Sequence, residues 1–263
     1  MNDNETEKII QEYSENYCLF LEAAYGAHMI SEGGEQAIDR MFNQENLRDQ
    51  KILDIGFGLG GVAFYLAEKH HAQVSGVEIN PWLVDEARRR TPGHLKSQVK
   101  LYHYHPNNAL PFPDESFDVV FSKGVLTHVK NKAPLFNEVN RVLKPRGVFV
   151  VDDWLSPHKD QWGERLKKMC QTEGLTLYAE TVENYRQLLS QAHFKDIDVR
   201  DENKHYHQYN LAIVERLKKE KKEGVSPVMD DAALDEAIEG HQLIADSIGD
   251  NELLIRWIRA IKS

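Results

Sequence analysis

Between residues 51 and 152, five short apolar runs alternate with helical patterns, and this alternation restricts the fold more than any other feature. The runs are 51–55, 73–78, 99–104, 117–122 and 147–152. Helical patterns occupy 62–69, 82–90 and 135–142, and Pro81 opens the second, as proline does in a first helical turn. Repeated strand–helix units with apolar strands predict a parallel sheet covered on both faces. A helix at 178–191 and a strand at 194–199 extend the pattern.

The flanks read differently. Ile9, Ile10, Tyr13, Tyr17, Phe20 and Leu21 recur at the three- and four-residue spacing of one helix face, and a second helix is expected at 35–42. The dense charge run 215–223 predicts the solvated face of a helix, broken at 224–227. An acidic helix follows, with Leu234, Ala237, Ile238, His241, Ile244 and Ile248 on one face. The β-favouring Ile and Trp content of 253–261 predicts a closing strand.

Composition removes several function classes. With 32 Lys and Arg against 42 Asp and Glu, the net charge of −10 opposes a broad nucleic-acid groove. The first residues lack the basic end and apolar core of a signal peptide. The uncharged stretch 55–67 is shorter than the ~20 residues a membrane span needs. Cys18 and Cys170 form neither a disulfide framework nor a metal clip, so a reducing, cytoplasmic setting is expected. His103, His105, His205 and His207 lack thiolate partners and a tetrahedral set, and no metal is expected.

The segment Leu53-Asp-Ile-Gly-Phe-Gly-Leu-Gly-Gly61 lies between a strand and a helix. Glycines there let backbone approach a ligand, and the helix start offers free N–H groups. Glu78 ends the next strand, where a carboxylate can grip both hydroxyls of a ribose. Gly56, Gly58 and Gly61 also satisfy GxGxxG, which keeps a nicotinamide dinucleotide open. Asp54, two residues before Gly56, suits a ligand carrying an ammonium group better than an anionic pyrophosphate.

Two further motifs, Leu110-Pro-Phe-Pro-Asp-Glu-Ser-Phe-Asp-Val-Val120 and Arg141-Val-Leu-Lys-Pro-Arg-Gly-Val148, each lead into a strand. In this order and spacing, the set resembles the class I S-adenosylmethionine-dependent methyltransferases. The resemblance implies an α/β, Rossmann-like fold: a mostly parallel seven-stranded sheet flanked by helices, with N-terminal helices and a helical insertion before the last strand. Residues 1–48 would form a helical lid, 49–200 the cofactor-binding core, and 201–263 the C-terminal helices and closing strand of the same domain. Asp54, Gly56, Gly58 and Gly60 would hold the methionine part of S-adenosyl-L-methionine, Glu78 the ribose, and Ile79 the adenine. Relatives often place an acidic residue before Leu-Pro-Phe; here His105-Pro-Asn-Asn108 leaves Asn107 or Asn108 to meet the adenine amino group.

Tyr13, Ile30-Ser-Glu-Gly-Gly34, Ser122, His128 and the late Arg256-Trp257 resemble the phosphoethanolamine N-methyltransferases of protozoa and nematodes. That resemblance implies a Tyr13–His128 pair closing over the acceptor, with Ile30, Ser31 and Ser122 on the cofactor side. Methyl transfer from a sulfonium needs alignment, exclusion of water and removal of a proton from the acceptor. A histidine, with an unperturbed pKa near ~6.5, suits that last task.

The departures concern phosphate. The family's acidic residue after the fourth strand is Gly124 here, and 168–175 has no match to its phosphate-holding residues beyond Lys167 and Lys168. Residues 244–247 carry no base. The scaffold and base are kept and the phosphate clamp is lost. Tyr17, Lys123, Asp153 and Trp154 are the candidate acceptor contacts, with Trp162, Tyr178, Tyr185 and Tyr206 nearby in sequence as aromatic partners for an ammonium. The expected activity is N-methylation of a small-molecule amine. Alternatives are O- or C-methylation of a quinone, phenol or terpenoid, and a catalytically silent cofactor-binding protein.

Overall fold

A computed structural model of the chain describes residues 3–107, 109–226 and 229–263. It begins with helices α1 (Asp3–Glu12), α2 (Glu15–Tyr25) and α3 (Gly34–Met41). The alternating part follows as β1 (Lys51–Ile55), α4 (Gly61–His70), β2 (Gln73–Glu78), α5 (Pro81–Arg90), β3 (Val99–His103), β4 (Phe117–Lys123), α6 (Ala133–Val142) and β5 (Leu143–Leu155). Then come α7 (Glu164–Glu173), α8 (Val182–Gln191), β6 (Phe194–Asp201), α9 (Asn203–Glu223), α10 (Asp231–Gly249) and β7 (Leu254–Lys262).

The strands form one sheet in the order β3-β2-β1-β4-β5-β7-β6. The pairs from β3 to β5 are parallel, and β7 runs antiparallel to both of its neighbours. The mostly parallel seven-stranded sheet expected from the sequence is present. Successive strand residues feed opposite cores, because side chains alternate along a strand. Ile52, Phe121 and Val150 pack with Ile38, Leu66 and Val84 on one face. Leu53, Val120 and Phe149 pack with Phe136, Val139 and Leu189 on the other. Burying a side chain of this kind contributes about 1.5–3 kcal/mol, so the central strands cannot tolerate a polar face.

Several elements differ from their sequence patterns. The helix expected at 178–191 starts only at Val182, where the Thr181 side chain accepts from the Asn184 backbone N–H. Residues before it are extended: the Tyr178 N–H donates to the Thr127 carbonyl, and the Glu180 carbonyl accepts from Ser156. Helix α7 has no counterpart in the sequence reading, since only Leu166 and Met169 of its ten residues are buried. The charge run 215–223 is the end of the longer α9, whose Ile213 and Leu217 pack on Leu234 and Ala237 of α10. Gly224, in a left-handed conformation, ends α9; Pro227 lies outside the described residues. No helix among the described residues is long and apolar enough to cross a membrane.

The chain leaves β1 and β4, which are neighbours, in opposite directions, toward β2 and toward β5. Beyond the carboxyl ends of such a strand pair lies the crevice where open α/β sheets bind ligands.

Candidate active site

The loop after β1 closes tightly on two partners. Gly56 and Gly58 have φ of +78° and +55°. A Cβ on Gly56 would lie 2.5 Å from Val125 Cγ2, and one on Gly58 2.7 Å from Ile30 Cδ1. Together with Gly61 they form one wall of a cavity of about 510 Å³, within the ~300–1,000 Å³ of small-molecule sites. Gly60 caps α4 and does not line the cavity; a Cβ there would meet the Phe64 ring instead.

Asp54 and Glu78 bring two carboxylates to this cavity. Asp54 is 2% exposed, and its Oδ2 has no hydrogen-bond partner. Burial pushes its pKa well above the ordinary carboxylate range, with Glu78 adding to the rise and Lys123 opposing it. Such an oxygen fits the ammonium end of a cationic ligand. Glu78 is fixed by backbone donors: Ile79 N–H at 2.8 Å, Asn80 N–H at 3.0 Å and Gly58 N–H at 3.2 Å. Ile30, Ser31, Ile79 and Asn107 also line the cavity, and the Asn107 amide donates to Asp3 Oδ1 at 2.6 Å. Asn108 lies outside the described residues. Ser122 is buried in β4 with its hydroxyl 3.4 Å from the Ile55 carbonyl, and lines neither this cavity nor its neighbour.

A smaller chamber of about 80 Å³ adjoins the first. The two share Tyr13, Ile30, Ser31, Lys123, Gly124 and His128 as lining residues. Tyr13 sits where α1 turns into α2, and its hydroxyl is 2.9 Å from His128 Nε2. His128 ends a short 3-10 turn after β4. Its Nδ1 lies 3.3 Å from the Thr176 carbonyl, which assigns the proton to Nδ1 and leaves Nε2 to accept from Tyr13. Thr176 is held in turn by Glu12, which accepts from its N–H at 3.1 Å and its hydroxyl at 2.6 Å. The Asn80 amide donates to the Tyr13 carbonyl at 2.9 Å, and the Asn80 Oδ1 caps α5. Burial lowers the His128 pKa to about 4 and raises that of Tyr13 above its usual value, so both are neutral at pH 7.

On the far side of the chamber stand Tyr17, Glu32, Thr127, Asp152, Trp154, Glu173 and Tyr206. Tyr17 donates to Glu173 Oε2 at 2.6 Å, and Tyr206 donates to Asp152. The Lys123 ammonium donates to Ser31 Oγ at 3.1 Å and to the Glu32 carbonyl.

Asp153 requires a correction. It lines neither cavity; its Oδ2 accepts from Tyr185 at 2.6 Å inside the core on the opposite face of the sheet. Strand alternation turns Asp152 and Trp154 toward the chamber and Asp153 away from it. Of the four aromatics expected to meet an ammonium, only Tyr206 lines the chamber. Trp162 and Tyr185 are core residues, and the Trp162 indole donates to the Leu177 carbonyl at 3.0 Å.

A family model described as a methyltransferase domain matches residues 53–151. The phosphoethanolamine N-methyltransferase of Plasmodium falciparum is 29% identical over 79% of this chain and 77% of its own length. The 2-methyl-6-phytyl-1,4-hydroquinone methyltransferase of Synechocystis is 39% identical over 39% of this chain and 31% of its own. The chain carries a methyltransferase domain and is an S-adenosylmethionine-dependent methyltransferase.

The methyltransferase has the fold of Haemonchus contortus phosphoethanolamine N-methyltransferase 2, solved with phosphomonomethylethanolamine and S-adenosylhomocysteine. The TM-score is 0.85 at 24% identity, over 95% of this chain and 58% of that one. It spans 43% of the Arabidopsis thaliana phosphoethanolamine N-methyltransferase 1 that it also matches. Its cofactor is S-adenosyl-L-methionine, and its methyl acceptor is a small molecule.

Four residues of the methyltransferase site escaped the sequence reading: Asn80, Thr127, Glu173 and Thr176. Glu32 lies within Ile30-Ser-Glu-Gly-Gly34, whose resemblance implies roles for Ile30 and Ser31 but none for the acid. Its signal, a lone acid inside a cofactor-contacting motif, was available.

Proposed function

We propose that the methyltransferase methylates the nitrogen of a small amine, with His128 as the base and Tyr13 as part of an N-terminal lid. The Tyr13–His128 hydrogen bond carries this reading, because both residues line the cofactor cavity and the acceptor chamber at once. A nucleophile in the chamber and a methyl donor in the cavity would meet at this pair.

Asp54 would take the ammonium of the methionine part, Glu78 the ribose hydroxyls and Ile79 the adenine face. Ile30, Ser31, Gly56, Gly58 and Gly60 or its neighbour Gly61 would close around the remainder. When bound, the cofactor supplies a sulfonium methyl group and becomes a neutral thioether. An amine arrives as an ammonium ion, and the carboxylate-rich chamber favours that form. Its proton must leave before the lone pair can attack. The assigned tautomer supports a relay in which Tyr13 Oη takes the amine proton and passes its own to His128 Nε2. Burial keeps His128 unprotonated at neutral pH, so the Nε2 lone pair is available, while the same burial makes the imidazole a weaker base than in water. Two unpaired cysteines fit a reducing, cytoplasmic setting.

The chamber volume argues against the quinone alternative. At about 80 Å³ the chamber is small beside the adjoining cavity of about 510 Å³, which favours a compact acceptor. A phytylated hydroquinone of the kind named for the Synechocystis relative is several times larger.

The test is methyl transfer from labelled S-adenosylmethionine to panels of amines, phenols and quinones, followed by mass analysis of the product. N-methylated products are expected. Methylation confined to phenols or quinones would overturn the reading, and turnover on no panel, with cofactor still bound, would support a silent binding protein instead.

A further inference from the structure

The charge of the acceptor chamber is opposite to what an anionic substrate needs. Its wall holds three carboxylates, Glu32, Asp152 and Glu173. Among the described residues, Lys123 is the only Lys or Arg on that wall. Its ammonium is already engaged by Ser31 and the Glu32 carbonyl, and it lies 5.8 Å from the centre of the Tyr206 ring. Burial raises the pKa of all three acids, so an entering phosphate or carboxylate would meet a wall of partly protonated acids and find no free cation.

The wall also contains groups that lack partners. Glu32 is 5% exposed, and neither carboxylate oxygen has a well-formed hydrogen bond; the Asn210 amide beside it is already given to the Tyr206 carbonyl. Thr127 is 4% exposed, and its hydroxyl is equally unpaired. Burying an unsatisfied polar group costs about 1–3 kcal/mol, and more for a charged one, so such groups call for an explanation, and on a cavity wall a donor-bearing ligand supplies one. Asp152 and Glu173 differ in each accepting a tyrosine hydroxyl. The chamber thus presents an unused acceptor at Glu32, backed by two further acids whose second oxygens remain for donors.

We infer that the acceptor is a small aliphatic amine with no phosphate or carboxylate group, and that Glu32 and Glu173 select it by receiving its N–H or O–H donors. This rests on the N-methylation reading above and narrows it to one substrate class. Glu32 follows Ser31 and its carbonyl accepts from Lys123, two residues that line both spaces. Glu173, bonded to Tyr17, belongs to the chamber alone. An acceptor with donors at both ends, such as an amino alcohol, satisfies both walls.

The experiment uses the full chain, labelled S-adenosylmethionine and two matched series. One series contains ethanolamine, its N-methyl and N,N-dimethyl derivatives, and ethylamine; the other contains phosphoethanolamine, glycine and sarcosine. Like-charge repulsion in a buried site costs several kcal/mol, so kcat/KM for the first series is expected to exceed that for the second by ~100-fold or more. Glu32→Gln and Glu173→Gln should each raise the KM for the favoured amine by roughly 10-fold, with S-adenosylhomocysteine affinity by calorimetry unchanged. Unchanged cofactor affinity also shows that each variant is folded. Equal or better turnover of phosphoethanolamine or glycine overturns this inference and leaves the N-methylation reading intact. Unaltered KM in both variants overturns the assigned roles. Turnover of phenols or quinones but of no amine overturns both readings.

Discussion

Asp152 and Asp153 are consecutive residues of β5 whose carboxylates serve different parts of the molecule. Asp152 accepts the Tyr206 hydroxyl on the chamber wall, and Asp153 accepts the Tyr185 hydroxyl in the core behind the sheet. The division makes a prediction. Asp153→Ala strands the buried Tyr185 hydroxyl and should lower stability by about 1–3 kcal/mol, read by denaturant melts. Asp152→Asn keeps an acceptor for Tyr206, so it should spare stability and raise the KM for the acceptor. The reverse pattern would put Asp153 in the site.

His128 and Tyr13 should act together in kinetics. Removal of a positioned general base costs roughly 10²- to 10⁴-fold, so His128→Ala is expected to lower kcat in that range. Tyr13→Phe breaks the same relay while leaving the ring over the site, so a loss of kcat in the same range of roughly 10²- to 10⁴-fold is expected. Saturation kinetics with a good acceptor decides. If His128→Ala keeps full kcat at every pH from 6 to 9, His128 is not the base.

Gly61 offers a test of the cofactor cavity that leaves the carboxylates untouched. A Cβ there would lie 2.6 Å from the His28 carbonyl oxygen, and the Gly61 N–H donates to that same oxygen. Backbone cannot move aside as a side-chain end can. Gly61→Ala should cost about 1–3 kcal/mol of stability by overpacking and weaken S-adenosylhomocysteine binding in calorimetry. Unchanged binding with an unchanged melt would mean that the loop and the His28 turn are not packed as described.

Glu32 and His128 should give opposite pH dependences of stability. Burial raises Glu32 from 4.5 to about 7, against the pull of Lys123. The folded protein then holds a proton that the unfolded chain releases, so its contribution is present below pH 4.5 and lost as pH rises through about 7. Burial lowers His128 from 6.5 to about 4. Its contribution is present above pH 6.5 and lost as pH falls through about 4. Each displacement corresponds to about 3 kcal/mol at most. Thermal melts from pH 4 to 8 should show Glu32→Gln gaining on the wild type as pH rises. His128→Ala should gain on it as pH falls. Differences that stay constant across that range would contradict both burial assignments.

Much of this architecture was legible because its signals are local. The apolar runs of β1 and β4 and the glycines between β1 and α4 are contiguous in sequence, and each run was read within a residue or two. The acceptor chamber was harder. Tyr17 and Glu173 meet across 156 residues, and Glu173 ends α7, a helix too polar for its periodicity to show. The choice between Asp152 and Asp153 depends on the phase of the alternation, which a five-residue apolar run leaves open until its neighbours are placed. The segment 178–181 looked helical by composition but is held extended by backbone bonds to Thr127 and Ser156, partners that no local pattern announces. Tyr13 and His128 were named through family resemblance, and their spacing alone would not have paired them.

Thr176 stands between Glu12 of the first helix and the imidazole of His128. The carbonyl that fixes the ring is thus itself anchored by the cover above it. If α1 served as the lid proposed above, lifting it would part Glu12 from Thr176 and Tyr13 from Nε2, and the ring would lose the contacts that set its orientation and tautomer together. On that reading the proton acceptor would be assembled only when the cover is shut, so the same contacts that admit the ligands would also time the chemistry.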